Sequence, residues 1–136
     1  MKKIFIDTDI ILDLLLQREP FFKSAHELFI KIENKELEAY VSALIIWNIY
    51  YLVEKYSSRK KAHQKVSELR ILLKIIPVDD KIIDSSLQSD FKDFEDSIQY
   101  FAAKSKNINI IITRNKKDYR TGDIALMTAS EFLSVK

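Results

Sequence analysis

Apolar residues follow two rhythms along this chain. Ile4-Phe5-Ile6 and Ile110-Ile111-Ile112 run without alternation, which predicts strands buried on both faces of a parallel sheet. Ala39-Tyr40-Val41 (ending at Ser42), the stretch from about Leu73 to Val78, and Ala125-Leu126-Met127 predict three shorter strands. Pro77 makes the far end of the middle one an edge or a terminus. Elsewhere apolar residues recur every three or four positions. Ile10 to Gln17 reads as a short helix stopped by Arg18-Glu19-Pro20. A helix from about Phe21 to Asn34 puts Phe22, Ala25, Phe29 and Ile32 on one face. Ile45, Ile49, Leu52 and Tyr56 make the buried stripe of a third, with Asn48 at its border. Ala62, Val66, Leu69 and Leu73 make that of a fourth, which restarts after Ser57-Ser58. Asp79-Asp80 caps a helix carrying Ile82, Ile83 and Leu87. A helix from about Glu95 to Lys106 turns Ile98, Phe101, Ala102 and Ser105 inward. Thr128 and Glu131 form a capping box ahead of a last helix with Phe132 and Leu133. Strands alternating with helices across short links predict an α/β fold, a central parallel sheet of four to five strands with helices on both faces. No linker or repeat divides it, so one domain across residues 1–136 is expected.

Composition narrows the function. The chain is 47% apolar and 31% charged, as a folded globular protein is, and its 22 basic and 20 acidic residues leave a net charge of +2. That balance is too small to imply nucleic acid by itself. With no cysteine there is no disulfide or thiolate metal site, and with no signal peptide a cytoplasmic setting is expected. Ile10 to Leu16, broken by Asp13, is too short to span a membrane. The single glycine, Gly122, excludes Gly-rich phosphate loops.

The chemistry is expected at one edge of the sheet. In open α/β sheets ligands bind beyond the carboxyl ends of the strands. Asp7 follows the first strand, Ser42 the second, and Thr113-Arg114-Asn115 with Asp118 the Ile110 strand, while Asp93 and Asp96 open the helix leading to it. Taken singly, Asp96 and Asp118 read first as ordinary helix-cap or first-turn residues, and Asp7 or Asp9 has the same alternative. Together, Asp7, Asp96 and Asp118 predict an acidic cluster whose oxygen-only donors select Mg²⁺ or Mn²⁺, chemistry suited to phosphodiester hydrolysis. Lys104, Lys106, Arg114, Lys116, Lys117 and Arg120 surround the last acid. They fit a rim for a polyanion, or an ordinary solvated surface. Trp47, Tyr50 and Tyr51 fall off their helix's buried stripe, where a protein interface is the commoner use. His26 and His63 have no partner at ligand spacing.

Three segments carry a family resemblance. Phe5-Ile6-Asp7-Thr8-Asp9-Ile10-Ile11-Leu12-Asp13-Leu14-Leu15, Asp93-Phe94-Glu95-Asp96-Ser97-Ile98-Gln99-Tyr100 and Ile112-Thr113-Arg114-Asn115-Lys116-Lys117-Asp118-Tyr119 resemble the PIN-domain ribonucleases, in particular their small VapC-like branch. The resemblance implies a three-layer α/β/α sandwich and a metal-dependent endoribonuclease, often a toxin neutralised by an antitoxin and often a homodimer. It assigns Mg²⁺ or Mn²⁺ to Asp7, Asp96 and Asp118, closing-loop positioning to Thr113 and Asn115, and supporting roles to Asp93 and Glu95. Arg114, Lys116, Lys117 and Arg120 would then meet RNA. Two positions depart from the family pattern: Asp9 stands where Asn is usual, and Asn48 where an acid is usual. An amide brings no charge, so cation affinity is expected to fall unless Asp9 or Asp93 compensates. Two rival readings follow. One is a PIN-like RNA- or protein-binding module with weakened catalysis. The other notes that a strand ending Asp7-Thr8-Asp9 looks like the nucleophile motif of haloacid dehalogenase-like phosphatases, with Asp7 attacking phosphorus.

Overall fold

The structure, a computed structural model, describes residues 1–119 and 123–135. Its frame is a five-stranded sheet of β1 (Lys2–Ile6), β2 (Leu37–Ser42), β3 (Lys74–Ile76), β4 (Ile110–Ile112) and β5 (Ala125–Met127), ordered β3-β2-β1-β4-β5. All four pairings are parallel. β1 is central because its apolar run has no wet face: Ile4, Phe5 and Ile6 are each fully buried. Each such side chain contributes about 2 kcal/mol when removed from water. Pro77 follows β3, an edge strand, so its missing amide costs no ladder bond.

Among the described residues seven α-helices join or follow the strands: α1 (Thr8–Leu15), α2 (Phe22–Glu33), α3 (Ala43–Tyr56), α4 (Arg59–Leu72), α5 (Asp80–Leu87), α6 (Phe94–Ser105) and, after β5, α7 (Ala129–Ser134). The chain steps outward from β1 to β2 and β3, then returns across the sheet to β4 and β5. With right-handed crossovers, that reversal puts α1 to α4 on one face and α5 and α6 on the other. The helix contacts agree: α1 packs on α2 and α3, α3 on α4 and α2 on α7, while α5 packs on α6. Strand order reverses between β1 and β4, so the crevice where ligands bind opens at the carboxyl end of β1.

Several helical details differ from the sequence expectation. α1 begins at Thr8 rather than Ile10, because the Asp7 carboxylate caps it, and it ends by Leu16, ahead of Gln17 at a φ of 51°. The buried stripe of α3 is Ile45, Ile49 and Val53; Leu52 is half-buried and Tyr56 exposed. Leu87 and Ser105 face solvent. In α6, Gln99, Tyr100 and Ala103 are buried beside Ile98 and Ala102. That helix meets α5 as well as the sheet, so its buried surface is wider than one stripe.

Candidate functional site

Asp7 lies where β1 turns into α1. Its backbone amide continues the parallel ladder by donating to the Ile112 carbonyl at 3.0 Å. Its Oδ1 accepts from the Thr8 amide at 2.8 Å, and its Oδ2 accepts from both the Thr113 hydroxyl and the Tyr119 hydroxyl at 2.9 Å. Capping α1 therefore leaves Asp7 at the strand-end edge, where the same carboxylate is tied to Thr113 beyond β4. Asp7 is 7% exposed; burial raises its pKa, against the pull of those three hydrogen bonds.

Asp9 sits two residues on, in the first turn of α1, with Oδ2 accepting from the Arg114 amide at 2.9 Å. Its Oδ1, like the Thr8 hydroxyl oxygen, is buried without a hydrogen-bond partner. Burial and then the Asp7 charge push Asp9 up to about 6. Asp13, fully buried, takes both nearby guanidinium groups: Arg114 Nε and Nη2 donate at 2.9 Å, Arg18 Nε at 3.0 Å. Arg18 also donates to the Asp9 carbonyl at 3.0 Å, and the Arg114 guanidinium stacks 3.8 Å from the Phe21 ring centre.

The opposite wall is the start of α6. Asp93 caps it, accepting from the Asp96 amide at 3.0 Å. Burial and then the charges of Asp93, Asp7, Asp118 and Glu95 push Asp96 up to about 7. Glu95 is also raised, by burial and then by Asp93 and Asp7, while a 2.8 Å hydrogen bond from Asn48 Nδ2 opposes the shift. A groove of about 360 Å³ lies between the walls, with Asp7, Thr8 and Asp9 on one side and Glu95 and Asp96 on the other. Arg18, Arg114 and Asn115 also reach it.

The remaining predicted residues divide. The Thr113 hydroxyl accepts from the Asn115 amide at 3.0 Å while donating to Asp7, so the bend after β4 is tied to the acid. Asp118 ends a 3-10 turn (Lys116–Asp118) and is exposed; it weighs on Asp96 through charge but stands outside the groove wall. The expected basic rim is dispersed. Arg114 is committed to Asp13 and Phe21, Lys116 pairs with Glu131, Lys104 pairs with Asp123, and Lys117 is exposed. Arg120 lies outside the described residues. Sequence reasoning left Tyr119, Arg18 and Gln99 without roles. Gln99 is buried in α6 and accepts from the Ser42 hydroxyl at the end of β2. Tyr119 could have been suspected, as the last residue of the closing segment.

The donors suit a hard cation. They are all oxygen, two buried oxygens lack partners, and the ion pairs among the described residues involve none of Asp7, Asp9, Glu95 and Asp96. Among the described residues no three His or acidic groups are yet drawn together closely enough to hold a metal ion, so the acids form an open set.

Comparison with known proteins agrees with this architecture. The PIN domain family model matches residues 3–117. Ribonuclease VapC1 of Aquifex aeolicus is 30% identical over 137 residues, 96% of this chain and 93% of that protein. VapBC from Salmonella typhimurium, solved bound to DNA, superposes with a TM-score of 0.70 at 16% identity, over 95% of this chain and 99% of the other. A toxin–antitoxin complex from Klebsiella pneumoniae gives 0.69 at 22% identity, over 93% and 97%. The chain belongs to the PIN domain family, and its three-layer α/β/α fold is the family's.

Proposed function

We propose that this protein is a divalent-metal-dependent endoribonuclease and the toxin of a toxin–antitoxin pair. The observation that carries the reading is the groove at the carboxyl end of β1, where four acids face one another without an ion pair to neutralise them. Carboxylates so placed raise one another's pKa unless a cation joins them. Asp7 and Asp96 are the residues that would hold Mg²⁺ or Mn²⁺, with Asp9 beside them and Asp118 approaching from the closing loop. A cation bound there supplies charge neutralisation and Lewis acidity toward a phosphodiester. The protein's own part is positional: Thr113 and Tyr119 fix the Asp7 carboxylate, and Asp93 fixes the first turn of α6. Asn115, Lys116 and Lys117 lie on the bend that RNA would approach.

Ribonuclease VapC1 is named for the activity, the Klebsiella structure is a toxin–antitoxin complex, and the Salmonella structure is a VapBC bound to DNA; these names support RNA as substrate and an antitoxin as partner. A homodimer and a cytoplasmic setting belong to the same reading. No described helix is long and apolar enough to cross a membrane. The phosphatase reading gains no support from the comparisons, which match a PIN domain and a ribonuclease relative. The binding-module reading rested on the uncharged Asn48, which here has an acid as its partner.

The test is cleavage of a structured RNA with Mn²⁺ or Mg²⁺ titrated in. Cleavage is expected to stop with chelator and to fall more than ~100-fold in Asp7→Asn, beyond the range seen when only a supporting partner is lost. Cleavage indifferent to chelator, or none at any metal concentration, would overturn the reading.

A further inference from the structure

Asn48 and Glu95 come from different helices and meet at the groove. The amide, on the second turn of α3, donates to Glu95 Oε1 at 2.8 Å, and Glu95 is in the first turn of α6, on the wall shared with Asp96. The choice of donor is informative. A lysine or arginine at position 48 would neutralise the carboxylate, and an acid would repel it; an amide orients it and leaves its charge in place. Both arginines at the groove direct their guanidinium groups to Asp13. Among the described residues Glu95 has no ion-pair partner. Its second oxygen takes no hydrogen bond from another described residue, while Asp9 Oδ1 and the Thr8 hydroxyl across the groove are buried without partners.

We propose that Glu95, held in orientation by Asn48, belongs to the cation-binding set of this groove, so that the negative charge α3 lacks at position 48 is delivered from α6. Asn48 is a positioning residue, acting through Glu95. The proposal rests on the metal-dependent reading above and adds to it a residue pair with its own signature.

Titration calorimetry of the full chain with MnCl₂, without RNA, separates this role from a simple tie between helices. Glu95→Gln keeps the shape and the oxygen that accepts from Asn48 and removes only the charge. A structural tie predicts unchanged Mn²⁺ affinity; we expect a loss of about tenfold or more, the scale of removing a group that tunes a metal site. The double variant Asn48→Asp with Glu95→Gln returns a carboxylate from α3 and is expected to regain most of that affinity. Undiminished Mn²⁺ binding by Glu95→Gln, with binding still lost in Asp7→Asn, overturns this proposal alone. If the wild-type protein takes up no Mn²⁺, the metal-dependent reading fails first, and the two outcomes are distinguishable.

Discussion

Asp7 carries two structural duties in a single carboxylate, and the proposed function adds a chemical one. Because it caps α1 and accepts from Thr113 and Tyr119, its position is over-determined, which is what a reacting centre needs. Tyr119→Phe removes one donor from a nearly buried acid and leaves the ring's packing intact. Stability is expected to fall by about 1.5 to 3 kcal/mol, the range for hydrogen bonds to charged groups, read by urea denaturation with chelator present; no loss would show that the hydroxyl is not holding the charged acid. The placement of Asp7 and Asp96 at one edge was legible in the sequence because strand ends and helix starts can be placed from apolar rhythm. Tyr119 was not, since an aromatic after a polar turn reads as core filling, and its hydroxyl meets Asp7 only when residues 112 positions apart are folded together.

Among elements, the firmest tie at the groove is ionic. Asp13 of α1 receives Arg114 from beyond β4 and Arg18 from the link to α2, and Phe21 stacks on Arg114. Three segments are thereby fastened around one buried acid. Asp13→Ala leaves two guanidinium groups facing apolar surface. Fully buried pairs broken from one side cost about 3 to 5 kcal/mol; here both arginines keep partial access to water, and the expected loss is about 2 to 3 kcal/mol by urea denaturation. A change under about 0.5 kcal/mol would show a surface-grade interaction. The family resemblance implied that Arg114 faces RNA. Position on a polar bend is compatible with either role, and only the partner 101 residues away decides it.

For the whole molecule, the balance of acids at one edge sets a pH dependence. Asp9 and Asp96 have folded pKa values raised to about 6 and about 7, above the ordinary value near ~4. Between those limits the folded state binds more protons than the unfolded one, so stability must decline as pH rises through that window. The acids held below their usual range, Glu38, Asp123 and Glu131, act in the opposite sense but lose their contribution only below about pH 4.5. With chelator, the melting temperature is therefore expected to be higher at about pH 5.5 than at about pH 8, by on the order of 5 °C for a chain of this size, and Mn²⁺ at the higher pH should reverse the loss. A melting temperature that instead climbs with pH in chelator would remove the acidic-repulsion account.

The sequence by itself determined the parallel α/β class, the central place of the Ile4 and Ile110 strands, the helix caps at Asp79 and Thr128, and the edge at which acids gather. These follow from local rhythm, cap chemistry and the rule that parallel strands end at one side. Tertiary structure decided which groups meet: Tyr119 on Asp7, both arginines on Asp13, Asn48 on Glu95, Ser42 on Gln99. It also left Asp118 exposed beside the groove instead of on its wall. Periodicity fixes the face on which a side chain emerges but not its reach. Long polar side chains choose partners by distances that exist only after strands far apart in the chain are laid side by side.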